Sequence, residues 1–432
     1  MPMTRIAKVS AHRVWDSRGH PTVEAEVTLE TGQIGRAIAP AGASRGRREA
    51  VDLRDGGPRL RGKGVNRAIA SVNGPIAGVL VGLDASVQAE VDVALCALDP
   101  SPIKETLGGN ATVATSLAVL HAGAKAAQMP LWRHVAETFG TAPSLPLPEV
   151  QIFGGGAHAG RRVDIQDFMI MVPGAASFDE VMEITSEVYF AAGDIMAARG
   201  RLAGVADEGG WWPEFRSNEE ALETLVEAIE KAGEAPGKRV VVSLDIAASE
   251  FGEGGLYKLA LEDRTLETGE MIDVLGGWID TYPIVSIEDP LGEDDTEGVV
   301  EFTRRFGERV QIVGDDYLVT NAELVNQAAS QGACNAVLVK VNQIGTVSEA
   351  VETYRAAQRA GWRAIVSARS GETEDVSISH LSVGLGAGQL KVGSFQRSER
   401  MAKWNACLRI AQELGSEAFV AGAPLAGTWW QG

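Results

Sequence analysis

Six short runs of uninterrupted apolar residues in the second half of the chain constrain its fold more than any other feature. They are VVVSLDI (240–246), PIVSIEDP (283–290), VQIVGDD (310–316), AVLVKVN (336–342), RAIVSARS (363–370) and QLKVG (389–393). Continuous rather than alternating apolar character marks a strand covered on both faces, as in a parallel sheet wrapped by helices. Helical stretches with readable starts lie among them. Ser217 with Glu220 has the pattern of a capping box ahead of Leu222, Leu225, Val226 and Ile229 at helical spacing, and Ser177 with Glu180 repeats it. Strand–helix units recurring about every 25 residues predict an α/β barrel. A doubly wound open sheet is the rival, but no GxGxxG follows a first strand.

The first part of the chain has a different grammar. Val23 to Glu30 (VEAEVTLE) alternates apolar with polar residues, the period of a strand with one wet face. Ala111 to Gln128 is rich in Ala and Leu without an internal proline and predicts a buried helix ended by Met129-Pro130. An N-terminal α+β domain over residues 1–140 is therefore expected, followed by an α/β barrel over residues 141–432. Pro143, Pro146 and Pro148 favour an extended linker over Thr141–Pro148. The length of 432 residues accommodates both units.

A formal charge of −19 argues against nonspecific nucleic-acid binding, which needs a basic surface. It leaves room for a small anionic substrate, because a local cluster of cations overrides the global field. Cys96, Cys334 and Cys407 fit no metal-ligand spacing and read as reduced core thiols. With no signal-like or membrane-spanning run in sight, a soluble cytoplasmic protein is expected.

The chemistry lies in what ends each run. Asp245, Glu288, Asp315, Lys340 and Lys391 stand at or near the C-terminal ends of separate predicted strands, which a barrel gathers on one rim. One such charge alone is an ordinary strand-end cap or surface group; five in successive units are not. Three carboxylates without His or Cys define a hard oxygen site suited to Mg²⁺, and their convergence without a cation would be repulsive. A lysine beside a divalent cation and a second ammonium is expected to have a lowered pKa and to serve as a general base.

At this point the motifs resemble those of the enolase family. They are WDSRGHPTVEAEV (15–27), GGGAHAG (154–160), DEGG (207–210), SLDIAASEF (243–251), PIVSIEDP (283–290), DDYLVTN (315–321), LVKVNQIGT (338–346), SARSGETED (367–375) and RSERMAKWN (397–405), in enolase order over almost the whole chain. The resemblance implies an N-terminal α+β capping domain, an atypical barrel of enolase type, Mg²⁺ dependence and a homodimer. It implies that Asp245, Glu288 and Asp315 hold the tight Mg²⁺, that Lys340 takes the C2 proton of a 2-phosphoglycerate-like substrate, and that Lys391 binds the carboxylate. Glu208, with Asp167 and His158, falls on the acid side; Arg369 and Ser370 match phosphate binders; Ser44 matches the mobile-loop serine of a second Mg²⁺.

The departures from the family pattern cluster around the substrate. Ala368 replaces a histidine, Asp167 a glutamate, Arg45 a threonine, Ala41 a serine and Gly154 an asparagine, while Arg161, Arg162, Trp211 and Trp212 are additions near the same loops. Arginine grips carboxylate or phosphonate bidentately, so Arg45 is expected to hold an extra anionic group where the imidazole is lost. That favours a specialised paralogue like carboxyphosphonoenolpyruvate synthase, acting on a phosphonoformyl substrate in phosphinate antibiotic biosynthesis. A housekeeping, glycolytic enolase is the first alternative. A non-catalytic enolase-like binding protein is the second, and it predicts a degraded metal site.

Overall fold

The computed structural model describes residues 4–415 and 418–430. Three antiparallel strands open the chain in the order β1 (Ile6–Trp15), β2 (Pro21–Leu29) and β3 (Ile34–Ile38). The alternation in β2 sorts its faces: Val23, Ala25, Val27 and Leu29 are buried, while Glu24, Glu26 and Thr28 lie half-buried on the other side. The helix Gly109–Ala126 covers this layer with a nearly continuous set of small buried side chains. Gly35 marks the crossing, since a Cβ there would fall 2.1 Å from the carbonyl oxygen of Ala118. The helix stops before Gln128, whose φ of 54° no helix continues through.

Residues 141–146 carry no regular structure, and the barrel begins at Leu147, so the last two residues of the expected linker are already strand. Eight strands close the barrel: β4 (Leu147–Gly154), β5 (Asp167–Met171), β6 (Val241–Asp245), β10 (Ile284–Glu288), β11 (Gln311–Gly314), β12 (Ala336–Val339), β13 (Arg363–Ser367) and β14 (Gly388–Ser394). A small antiparallel sheet of β7 (Gly252–Glu253), β8 (Leu256–Leu259) and β9 (Arg264–Glu267) lies in the sequence between β6 and β10. The last six barrel strands are the six apolar runs. The first two escape that reading because polar residues such as Glu149, Gln151 and Asp167 are buried in them. β5 runs antiparallel to both β4 and β6, while all other neighbours are parallel.

Period-two alternation decides which side chains enter the barrel. Val313, Ala336, Leu338 and Ile365 form an apolar cluster of their own in its interior, while Ile312, Val337, Val339, Ala364 and Val366 join the main core under the helices. Counting on by two from the interior set reaches Asp315, Lys340 and Ser367. The same parity carries Ser243 to Asp245, Ser286 to Glu288 and Gln389 to Lys391. Hydrophobic packing thus fixes the direction of every rim residue before any chemistry is considered.

The helix starts hold with one difference. The hydroxyls of Ser217 and Ser177 accept the backbone N–H of Glu220 and of Glu180, at 3.1 Å each. The glutamates reach back one residue further than a capping box requires, to the N–H groups of Arg216 and Ala176. No helix among the described residues is long and apolar enough to cross a membrane. The three cysteines are free, Cys334 and Cys407 buried and Cys96 partly so.

Candidate active site

Because β5 runs backwards, its first residue lies at the rim where the parallel strands end. Asp167 is registered against Gly154 at the end of β4 and against Asp245 at the end of β6, and Glu288 stands beside Asp245 in the next pair. Lys391 rises from β14 into this ring. Its ammonium donates to Asp245 at 2.8 Å and Glu288 at 2.7 Å, and lies 3.5 Å from Asp167. Lys340, one residue beyond β12, donates to Asp315 at 2.5 Å. Both lysines, Asp245 and Asp167 line a narrow cleft shared with Ser44, His158, Glu208, Arg369 and Ser370.

The lowered lysine pKa expected from the sequence is not what the protein's own charges produce. Burial works against the Lys340 ammonium, yet Asp315 outweighs it and raises the pKa. For Lys391, burial is overcome by Asp245 and then Glu288, and its pKa stands well above the usual lysine value. The ammonium groups are therefore counterions to the carboxylates until something else takes those oxygens.

The site fits a hard cation. Asp245, Glu288 and Asp315 offer only oxygen, and Glu288 Oε1 is buried without a hydrogen-bond partner. Burial, and then the charge of Asp245, push the Glu288 carboxyl well above its ordinary pKa, the signature of an undercompensated negative cluster. The three carboxylates do not form the tightest grouping. Among the described residues, ligand atoms within 4.8 Å of one another occur in Asp289–Asp315–Asp316 and in His158–Asp167–Glu208, whereas Asp245 and Glu288 meet on the Lys391 ammonium.

Opposite this cluster, His158 is buried between acids. Its Nδ1 is 3.2 Å from Asp167, and its Nε2 is 3.1 Å from the Ser370 hydroxyl and 3.8 Å from Glu208. Burial disfavours the imidazolium, but Glu208 and then Asp167 outweigh it and raise the pKa. Asp167 is held below its ordinary range: burial would raise it, and His158 and Lys391 overcome that. This arrangement favours the protonated form of the imidazole beside Glu208.

Arg369 lies just past β13, with its guanidinium buried against the N-terminal domain. It pairs with Glu49 at 3.0 Å and donates to the Ser44 carbonyl at 3.1 Å. Arg45 corrects the sequence reading. It is exposed, its nearest polar partner is the Ala50 carbonyl at 3.5 Å, and it does not line the cleft. Backbone direction along the 42–49 segment turns Ser44 inward and Arg45 outward. Trp211 stacks on Tyr189 with ring centroids 4.8 Å apart, Arg161 and Arg162 pair with Glu250 and Glu214, and none of the three lines the cleft. Gly154 suits its own surroundings, because a Cβ there would lie 2.7 Å from that of Ala206.

Several residues of this site went unread in the sequence. Gln166 lines the cleft and donates to Asp245 at 3.0 Å, its own Oε1 buried and unpartnered. Gln343 donates to Asp315 at 2.8 Å, and Gln151 to Asp167. Adjacency was the available signal: Gln166 precedes Asp167, and Gln343 follows Lys340 by three residues.

Comparison with known proteins agrees with this geometry. Residues 6–135 match the family model described as "Enolase, N-terminal domain", and residues 142–427 match "Enolase, C-terminal TIM barrel domain". The chain belongs to the enolase family. It is 48% identical over 417 residues to "Enolase 1" of Desulfitobacterium hafniense (strain Y51), covering 96% of this chain and 95% of that protein. The protein is thus an enolase-superfamily lyase, and enolases depend on Mg²⁺. The same finding overturns the expectation of a carboxyphosphonoenolpyruvate synthase. Similarity at 48% identity over nearly the full length of a protein named as an enolase favours the housekeeping alternative, and Arg45, the residue meant to grip an additional anion, faces away.

Proposed function

We propose that the protein is a phosphopyruvate hydratase, converting 2-phosphoglycerate to phosphoenolpyruvate and water. The observation that carries this reading is the convergence of Lys340 and Lys391 on one cleft, with the carboxylates behind them and Glu208 across from them. A non-catalytic protein has no need to keep two buried ammonium groups at that rim.

Asp245, Glu288 and Asp315 would hold Mg²⁺, which supplies positive charge against the substrate carboxylate as it gains a second negative charge. Were Asp315 to serve as a ligand to that cation, the pairing that raises the Lys340 pKa would be weakened. Arg369 and Lys391, which already oppose its charge, then favour the free amine. Lys340 takes the proton from C2, and the electron pair moves into the carboxylate, facing Lys391. The C3–O bond then breaks as the double bond forms, and the hydroxyl leaves as water with a proton from Glu208, beside which His158 lies at 3.8 Å. Arg369 and Ser370 would take the phosphoryl group, and Ser44 would be the ligand this loop offers to a second Mg²⁺. The capping domain of residues 1–140, the barrel of residues 141–432 and a homodimer belong to the same reading.

The test is incubation with 2-phosphoglycerate and Mg²⁺ while following enol absorbance. Turnover at ordinary enolase speed, abolished by a chelator and by K340A, is the expected result. A folded, Mg²⁺-loaded protein without turnover would refute it.

A further inference from the structure

Glu49 comes from the N-terminal domain, five residues after Ser44, and is buried at 5% exposure among barrel residues. Both its oxygens meet Arg369: Nη1 donates to Oε2 at 3.0 Å and Nη2 to Oε1 at 3.2 Å. Each terminal nitrogen has one further partner, Asn342 Oδ1 at 3.2 Å from Nη1 and the Ser44 carbonyl at 3.1 Å from Nη2. A guanidinium carries five N–H bonds. Four are engaged, and Nε–H is the one without a partner among the described residues. The fit is close, since a Cβ on Gly42 would lie 2.0 Å from Nη2.

The same carboxylate has other attachments. Oε1 also accepts the Gly46 backbone N–H at 3.1 Å and Gln343 Nε2 at 3.2 Å. Gln343 Nε2 in turn donates to Asp315 at 2.8 Å. One buried acid therefore links its own loop, the arginine read as the phosphate binder and, through a glutamine, a candidate metal ligand.

We infer that Glu49 is a positioning residue for the dehydration reaction, fixing the Arg369 guanidinium by its terminal nitrogens so that the Nε–H edge meets the phosphoryl group. Phosphate recognition by the barrel then depends on the 42–49 segment of the other domain being seated. A carboxylate suits this role because it gives each nitrogen its own charged oxygen, whereas a neutral amide has a single acceptor oxygen and no charge. The inference rests on the reading of Arg369 as the phosphate binder.

The experiment uses full-length, Mg²⁺-loaded protein with E49Q and E49D substitutions. It measures inorganic phosphate binding by calorimetry, KM and kcat for 2-phosphoglycerate, and the thermal midpoint. E49Q is expected to weaken phosphate binding and raise KM by the same factor, about tenfold to a hundredfold for lost charge-assisted bonds, with a smaller change in kcat. E49D, which keeps the charge but not the reach, should fall between E49Q and the unaltered protein. Unchanged phosphate affinity in folded E49Q overturns the inference. So does tighter binding, which would make Glu49 a competitor that phosphate displaces. Should E49Q fail to fold, unchanged affinity in E49D does the same. Phosphate binding is read without turnover, so failure of the hydratase reading, with no product formed by the unaltered protein, is distinguishable from failure here.

Discussion

Asp167 and Asp245 face each other across the β5–β6 pair, and both carboxylates point at the single ammonium of Lys391, at 3.5 and 2.8 Å. With Glu288 at 2.7 Å, three buried acids share this ammonium, and only Asp167 also has His158 beside it. Replacing Lys391 by methionine keeps the stem and strips the charge. Breaking a buried pair by removing one partner costs about 3–5 kcal/mol, because uncompensated charge is left behind. K391M should therefore unfold in less urea than the unaltered protein and be inactive. Mg²⁺ should restore part of the lost stability, since a cation on Asp245 and Glu288 replaces the missing compensation. Equal urea midpoints for the two proteins without Mg²⁺ would contradict this account of the rim.

The aspartate at 167 is built into its surroundings and is not interchangeable with the family's glutamate. It is 1% exposed and is met by Gln151, by His158 at 3.2 Å and by Lys391. An added methylene would displace the carboxylate from all three or push one of them aside. D167E should lower stability by about 1–3 kcal/mol, the usual cost of overpacking, without raising kcat. Urea unfolding and steady-state kinetics on the same preparation check both halves. A gain in kcat would show that the shorter side chain is a defect.

How much of this was legible follows from what writes a pattern into sequence. Six barrel strands are covered by helices on one side and packed inside on the other, so they appear as apolar runs, and their terminal charges stand out. β5 is five residues long and starts with an acid, and its reversed direction puts that acid, rather than its far end, at the rim. No local pattern reports direction. Glu49 and Gln343 were unreadable for another reason: their partners lie 320 and 28 residues away, and a buried glutamate or glutamine looks like any polar residue until the chain is folded. Arg45 was misread because residue type predicts what a side chain can bind but not where the backbone turns it.

That last point has a direct check. Arg45 is exposed, and among the described residues its side chain has one hydrogen-bond partner, the Ala50 carbonyl at 3.5 Å. Surface substitutions of this kind change stability by about 0.5 kcal/mol or less. R45A should leave KM and kcat for 2-phosphoglycerate within about twofold, a free-energy change of the same order. A tenfold rise in KM would return Arg45 to the substrate site and require the 42–49 segment to rearrange on binding.

A second effect of burial appears at the contact between the domains. His121, on the helix Gly109–Ala126, bonds the Ser377 hydroxyl at 2.7 Å, and His380 lies one turn along the barrel helix Ser377–Leu385 with a buried, unpartnered Nδ1. Burial, and then the neighbouring His121, push His380 down to about 4, against the opposing pull of Asp375 and Glu413. His121 is lowered too, by burial first, with Asp375 opposing and Lys125 assisting. The sign follows from proton counting. Between the folded value and the unfolded value near 6.5, the unfolded chain binds the extra proton, so stability is full above that window and falls as the pH drops through it. For His380 the span corresponds to at most about 3 kcal/mol, reduced by whatever water reaches the ring. Urea unfolding at a series of pH values should show midpoints declining from about pH 6.5 towards pH 4, and H380Q should flatten the upper part of that decline, above the range where carboxylates titrate. Parallel curves for the two proteins would mean that the imidazole reaches water in the folded state.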